Sequence, residues 1–164
     1  MNIADAIALL DREVPDPSRG LPEALFFYIS RTTPLVNVDL LIKDENGRVL
    51  LAWRDDPYSG NGWHIPGGIV RFKETLEQRV NKVAETEIGT LVEFNPVPIA
   101  VKQCIHHERE IRSHFISILY QCSLPSSFMP ENKGLSEGDA GYLQWHEQCP
   151  EHLLKCHEMY RNYL

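Results

Sequence analysis

The stretch GGIVRFKETLEQRVNKVAETEIGT, residues 67–90, holds a carboxylate where an apolar side chain belongs. Leu76, Val80, Val83 and Ala84 recur at helical spacing and predict one amphipathic helix from Glu74 to Ile88. At roughly 100° per residue, Glu87 falls inside that apolar stripe, whereas Glu85 points to solvent. An ionised carboxylate facing a core is costly unless it is compensated. A basic partner (Arg79 or Lys82 at helical spacing), a raised pKa or a metal ion would each compensate it. Just upstream, His64-Ile65-Pro66-Gly67-Gly68 forms a tight loop that can carry backbone carbonyls to the helix. Two adjacent glycines imply close backbone approach or unusual dihedrals. Glu74 suits the helix start, where it favours the macrodipole and can bond loop amides. Gly89 suits the C-cap.

The same reading extends outward in both directions. Asn2 caps a short helix over Ile3–Leu10, and a second short helix runs over Glu23–Ser30. Pro15, Pro17, Gly20 and Pro22 separate them. Residues 1–31 therefore form a helical extension, and residues 32–164 form the main domain. Val36, Val38, Leu40 and Ile42 alternate along a strand, Glu45-Asn46-Gly47 is a hairpin turn, and Val49–Trp53 is the return strand. Arg54–Gly62 is a polar loop, and Trp63–Val70 a short strand broken by the two glycines. Val97–Ile105 and Ile111–Cys122 are two longer strands around the polar tip His106–Glu110. Tyr142–Trp145 is a last strand and Glu151–Tyr163 a closing helix. The class is α+β, with a mixed sheet between helices.

Composition narrows the partners. A formal charge of −7 argues against non-specific nucleic-acid binding. No apolar run is long enough to span a bilayer, so no membrane role is expected. The start MNIADAIALLDREV is acidic and unlike a signal peptide, and Cys104, Cys122, Cys149 and Cys156 lack CxxC spacing. These features predict a cytoplasmic protein with free thiols.

Gly68, Glu74, Glu87 and Gly89 stand at the intervals G-x5-E, then twelve residues, then E-x-G. That spacing resembles the Nudix box. Lys82 stands at the family's arginine, and Val83 and Thr86 replace two of its three clustered glutamates. One branch of the family, the GDP-mannose mannosyl hydrolases, likewise keeps only the last glutamate. Thr33-Pro34-Leu35-Val36, Asp39, Leu50-Leu51, Arg54, Trp63 and Pro66-Gly67-Gly68 extend the likeness to that branch over about Thr32–Thr90.

The resemblance implies a Nudix-type mixed sheet sandwiched between helices and a Mg2+ (or Mn2+) site. The ion would take the Gly67 carbonyl and Glu87, with Asp139 as a third ligand from the loop before the last strand. Such an ion prefers oxygen ligands and draws few of them from protein carboxylates. Aligned on Trp145, the branch's catalytic histidine falls at Ala140, which cannot take a proton; the register can shift at Gly138 and Gly141, or another residue can serve as base. His106, His107, His114 and His146 are the alternatives, and His107 is favoured by likeness to a functional histidine in the corresponding hairpin. Arg54 is the expected leaving-group contact. Ile69 replaces a family arginine, and Arg71, two residues along, is its expected substitute. Asp39, Arg54 and Arg71 are thus the substrate contacts. The resemblance also implies a homodimer and a nucleotide-sugar substrate. Three activities remain open: hydrolysis at the anomeric carbon, pyrophosphohydrolysis at phosphorus, or sugar-nucleotide binding without turnover.

Overall fold

Strand β1 (Leu35–Lys43) is the axis of the fold, and its alternation divides the core in two. Val38, Leu40 and Ile42 face one way and pack with Val80 and Val83 of the helix α3 (Leu76–Val83) and with Ala84 just beyond it. Leu41 faces the other way and packs with Trp63, Ile65 and Tyr160. Both faces of the strand are covered, which is why it reads as a nearly continuous apolar run. The structure is a computed structural model and describes residues 2–164.

β1 runs parallel to β7 (His114–Ser123), in register from Leu35↔Phe115 to Lys43↔Ser123. On its other side it meets β2 (Val49–Asp56) at Lys43↔Val49 and the short β4 (Gly67–Ile69), which pairs Asp39↔Gly67 and Asn37↔Ile69. β3 (Gly60–His64) and β8 (Leu143–His146) both pair antiparallel with β2, and β5 (Glu93–Phe94) and β6 (Ala100–Ile105) pair antiparallel with β7. The result is an eight-stranded mixed sheet, the α+β architecture anticipated from the sequence. α3 covers one face, and a 3₁₀ segment, Lys155–Tyr163, brings Tyr160 to the other.

Several boundaries move for identifiable reasons. The strand expected from Val97 begins at Ala100, because Pro96 and Pro98 lack ladder donors. The closing helix expected from Glu151 begins at Lys155 and is 3₁₀. Trp63 donates to the His152 carbonyl at 2.8 Å and accepts from Leu154 N–H at 2.8 Å, which holds residues 152–154 extended. The helix expected to run unbroken over Glu74–Ile88 starts at Leu76 and changes to π geometry over Ala84–Ile88. Its N-terminus is a capping box between Thr75 and Gln78.

The N-terminal segment consists of α1 (Ile3–Glu13), a 3₁₀ turn at Pro17–Arg19 and α2 (Glu23–Ser30). α1 starts at the Asn2–Asp5 capping box and buries none of its residues. α2 buries Ser30 and sets Phe27 edge-on to Tyr58. All four cysteines are free. Among the described residues no helix is long and apolar enough to cross a membrane.

The glycine pair is explained by close approach. Neither residue has a left-handed φ. A Cβ on Gly67 would strike the Asp39 carboxylate and come within 2.7 Å of the Val38 carbonyl oxygen, and one on Gly68 would lie 2.8 Å from Val83 Cγ2. Gly68→Ala therefore wedges β4 away from α3. The expected cost is about 1–3 kcal/mol, as for other overpacked sites, read as a lower midpoint in urea unfolding. An unchanged midpoint would contradict this packing.

Candidate active site

The turn from α3 into π geometry sets the direction of Glu87. Gly89 N–H reaches back five residues to the Ala84 carbonyl at 3.0 Å, and Gly89 closes the helix at φ 84°. The extra residue in this turn displaces Glu87 from the α-helical register, and such bulges recur at functional sites. The two basic candidates for pairing with Glu87 are engaged elsewhere. Arg79 pairs with Glu74 at 2.7 Å, and Lys82 pairs with Glu85 at 3.5 Å. Glu74 also accepts the Arg71 backbone N–H at 2.8 Å, which ties the loop after β4 to the helix.

Glu87 is half-buried, with its carboxylate 3.9 Å from His64 Nε2. Desolvation pushes its pKa up to about 7, against the opposing pull of Arg54 and a hydrogen bond from the Gly67 backbone. His64 is buried and offers no countercharge, because desolvation and the neighbouring Arg54 hold its pKa well below the usual imidazole range. Arg54 Nη2 lies 3.2 Å from His64 Nε2, so a neutral ring accepts from the guanidinium.

Two clefts meet at Arg54 and His64, which line both. The first, about 180 Å³, is lined by Asp39 and Gly67, by His157 of the 3₁₀ segment, and by His106, Arg109 and Arg112 of the β6–β7 hairpin. The second, about 830 Å³, holds Glu87 together with Phe128, Asn132 and Ala140 from the long loop between β7 and β8, residues 124–142. The Gly67–Gly68 segment has Asp39 against one residue and Val83 of α3 against the other. That close packing brings the Gly67 backbone to the Glu87 carboxylate.

Asp39 is 2% exposed and accepts from Tyr160 Oη at 2.8 Å and Asn37 Nδ2 at 2.7 Å. Burial raises its pKa to about 6, despite hydrogen bonds from Tyr160, Ser117 and Asn37 and the charge of Arg54. His157, next to both His64 and Tyr160, is pushed down to about 3 by desolvation and by Arg54. Strand alternation alone brings Asn37, Asp39, Phe115 and Ser117 into one row of this cleft.

The residues expected from the sequence are not all gathered here. Arg54, Gly67 and Glu87 come together, and Asp39 stands beside Gly67. His107 lies outside both clefts and is exposed; the adjacent His106 takes the inward position, tied to Cys104 two residues earlier on the same strand face. Arg71 is exposed and lines neither cleft, because β4 ends at Ile69 and the following turn carries it off the strand face. Its guanidinium donates instead to the Arg19 carbonyl at 3.0 Å. Asp139 is exposed and accepts the Ser136 N–H at 2.7 Å, while Ala140 lines the Glu87 cleft. His114 faces Gln103, and His146 stacks edge-on against Trp63. Sequence reasoning missed His64, Arg109, Arg112, His157 and Tyr160. The His64-Ile65-Pro66 run and the spacing of Arg109 and Arg112 at the hairpin tip were the available signals.

The donor set suits a divalent cation that receives most of its ligands from elsewhere. Among the described residues no three His, Cys, Asp or Glu side chains cluster as a protein cage. One half-buried carboxylate beside a glycine backbone that tolerates no Cβ is the kind of partial shell that phosphate oxygens and water complete.

The family model for the NUDIX domain matches residues 33–153, and the chain belongs to the Nudix hydrolase family. A MutT NUDIX hydrolase from Burkholderia pseudomallei is similar in fold, with a TM-score of 0.64, 22% identity, and 79% of this chain and 97% of that one covered. A NUDIX hydrolase from Nitrosomonas europaea aligns with a TM-score of 0.55 and 17% identity, over 70% of this chain and 72% of that one. In sequence, the low-salt glycan biosynthesis protein Agl8 of Haloferax volcanii is 38% identical over 73 residues, which are 44% of this chain and 46% of that protein. The match thus spans less than half of that relative's length.

Both inward carboxyls have native pKa values above their ordinary ones of 3.8 and 4.5. Between those values and about 6 or 7 the native state holds more protons than the unfolded chain, so their contribution to stability is complete at low pH and is lost as pH rises. In EDTA the Tm advantage of the wild type over Glu87→Gln should therefore shrink steadily from pH 4.5 to pH 7. Thermal melts across that window check it, and an advantage that grows with pH would contradict the placement of Glu87. A divalent cation favours the ionised form and should reverse the trend.

Proposed function

We propose that this protein is a divalent-metal-dependent hydrolase of a nucleoside diphosphate sugar of the GDP-mannose kind. The observation that carries the reading is the convergence of Glu87, the Gly67 backbone and Arg54 where two clefts join. Glu87 and the Gly67 carbonyl would hold Mg2+ or Mn2+, with phosphate oxygens and water completing the shell. When bound, such an ion neutralises charge on a departing diphosphate. Arg54 lines both clefts and would pair with the same phosphate oxygens; it contacts a neutral His64 through Nη2 and stands 3.7 Å from Asp56 through Nη1. Asp39, desolvated in the adjoining cleft, offers hydrogen bonds to sugar hydroxyls. Water would then attack the anomeric carbon and release sugar and nucleoside diphosphate. The glycan-biosynthesis title of the partly matching Haloferax protein supports a sugar-nucleotide substrate.

Ala140 favours a second reading. It lines the Glu87 cleft where a proton acceptor would be expected, which suits a module that binds sugar nucleotides without turning them over.

A nucleotide-sugar panel with Mg2+, run in oxygen-18 water, separates these readings. Label in the released sugar supports attack at carbon, label in a phosphate product moves the attack to phosphorus, and tight binding without products selects the binding module. Glu87→Gln should lower turnover at saturating Mg2+ by at least 100-fold, in line with the loss of one electrostatic group acting on a transition state. Wild-type turnover by a folded Glu87→Gln protein would rule out the metal assignment.

A further inference from the structure

The cleft on the Asp39 face gathers three arginines. The whole chain carries −7, yet this lining contains Arg54, Arg109 and Arg112 with Asp39 as its one acid; Glu108 lies 4.0 Å from Arg109 and Asp56 3.7 Å from Arg54, both outside the lining. Its three histidines, His64, His106 and His157, are all held neutral by desolvation. Arg54 is accounted for above, but Arg109 and Arg112 are not.

Both are built into position. Arg109 donates through Nη2 to His106 Nδ1 at 2.9 Å, and His106 is itself 6% exposed and rests against Cys104 Sγ at 3.3 Å. Arg112 sits at a left-handed φ of 50°, an uncommon conformation for a residue with a side chain. Its backbone N–H donates to Ser30 Oγ of α2 at 3.0 Å, and Ser30 is 1% exposed. Its guanidinium lies 5.1 Å from the Tyr58 ring, which Phe27 of α2 contacts edge-on. Arg112 Nε is buried with no hydrogen-bond partner. A buried, unpartnered N–H on a cation is costly, and the nearby Asp56 carboxylate offsets only part of the desolvation of this guanidinium.

We propose that Arg109 and Arg112 clamp the diphosphate of the nucleotide, and that α2 belongs to this site as a positioning element because Ser30 fixes the strained backbone of Arg112. A guanidinium pair suits phosphate oxygens, which accept its forked donors in parallel. Gly67 and Arg54 line the same cleft, so the clamp and the Glu87 end face one ligand. The inference rests on the nucleotide-sugar reading for the identity of that ligand, but the two fail in different assays.

The test is calorimetric binding to the full chain in EDTA, with pyrophosphate, GDP and guanosine as probes. The wild type should bind GDP and pyrophosphate, with affinity that falls as KCl rises, and guanosine much more weakly. Arg109→Gln and Arg112→Gln should each weaken GDP and pyrophosphate about tenfold or more, as loss of a charge-assisted bond implies, and leave guanosine unchanged. Ser30→Ala should weaken GDP several-fold, and Ser30→Thr should restore it. Unchanged pyrophosphate affinity in folded arginine variants overturns the clamp. So does salt-independent pyrophosphate binding by the wild type, or competition by glucuronate equal to that by pyrophosphate. Wild-type GDP affinity in Ser30→Ala overturns the role of α2. Failure of the hydrolase reading shows instead as absent turnover with Mg2+ while these binding differences persist.

Discussion

The close approach of the Gly67–Gly68 backbone to its neighbours is the constraint on which the site depends. A Cβ on Gly67 would collide with the Asp39 carboxylate and the Val38 carbonyl, and one on Gly68 would crowd Val83 and Arg79 of α3. Because no side chain intervenes, β4 can pair with β1 and still touch the helix. A backbone segment thus lies between two partly dehydrated carboxylates, Asp39 and Glu87. Wider spacing would admit water around both and relieve the desolvation that gives them their character.

Charge organisation follows from that geometry. Arg54 is the group that the carboxylates and two of the neutral histidines share: it lowers the pKa of Asp39 and Glu87 and suppresses protonation of His64 and His157. The centre therefore behaves as a coupled electrostatic unit. A change at Arg54 would be felt at every one of these groups. Surface pairs such as Arg161–Glu158, which are half exposed, have no such reach.

The clefts also assign work to parts of the chain that lie far apart in sequence. The β6–β7 hairpin supplies His106, Arg109 and Arg112, the C-terminal 3₁₀ segment supplies His157 and Tyr160, and α2 braces Arg112 through Ser30. The family match begins at residue 33, so α2 lies outside it yet touches the rim of the site. That contact is local to this chain's own residues, and it ties the N-terminal segment to the wall of the cleft.

Much of the framework was legible in the sequence because it rests on local periodicity. The alternation of Val38, Leu40 and Ile42, the apolar stripe of α3, the Asn2 cap and the Gly89 cap are short-range signals, and the structure realises each of them. Glu87 stood out for the same reason, as a charged residue in an apolar row. The misplaced details needed contacts that no local pattern encodes. The π turn ends the α-helix at Val83, the Trp63 bridge shortens the closing helix, and the end of β4 at Ile69 sends Arg71 toward Arg19. His106 and His107 are chemically alike neighbours, and only the hairpin's pairing decides which one enters the cleft. The mixed sheet, its helix and the inward acid follow from residue order, because hydrophobic burial acts residue by residue along each element. Tertiary structure alone decided which cations and imidazoles surround that acid, because desolvation and charge coupling depend on neighbours brought in from distant strands.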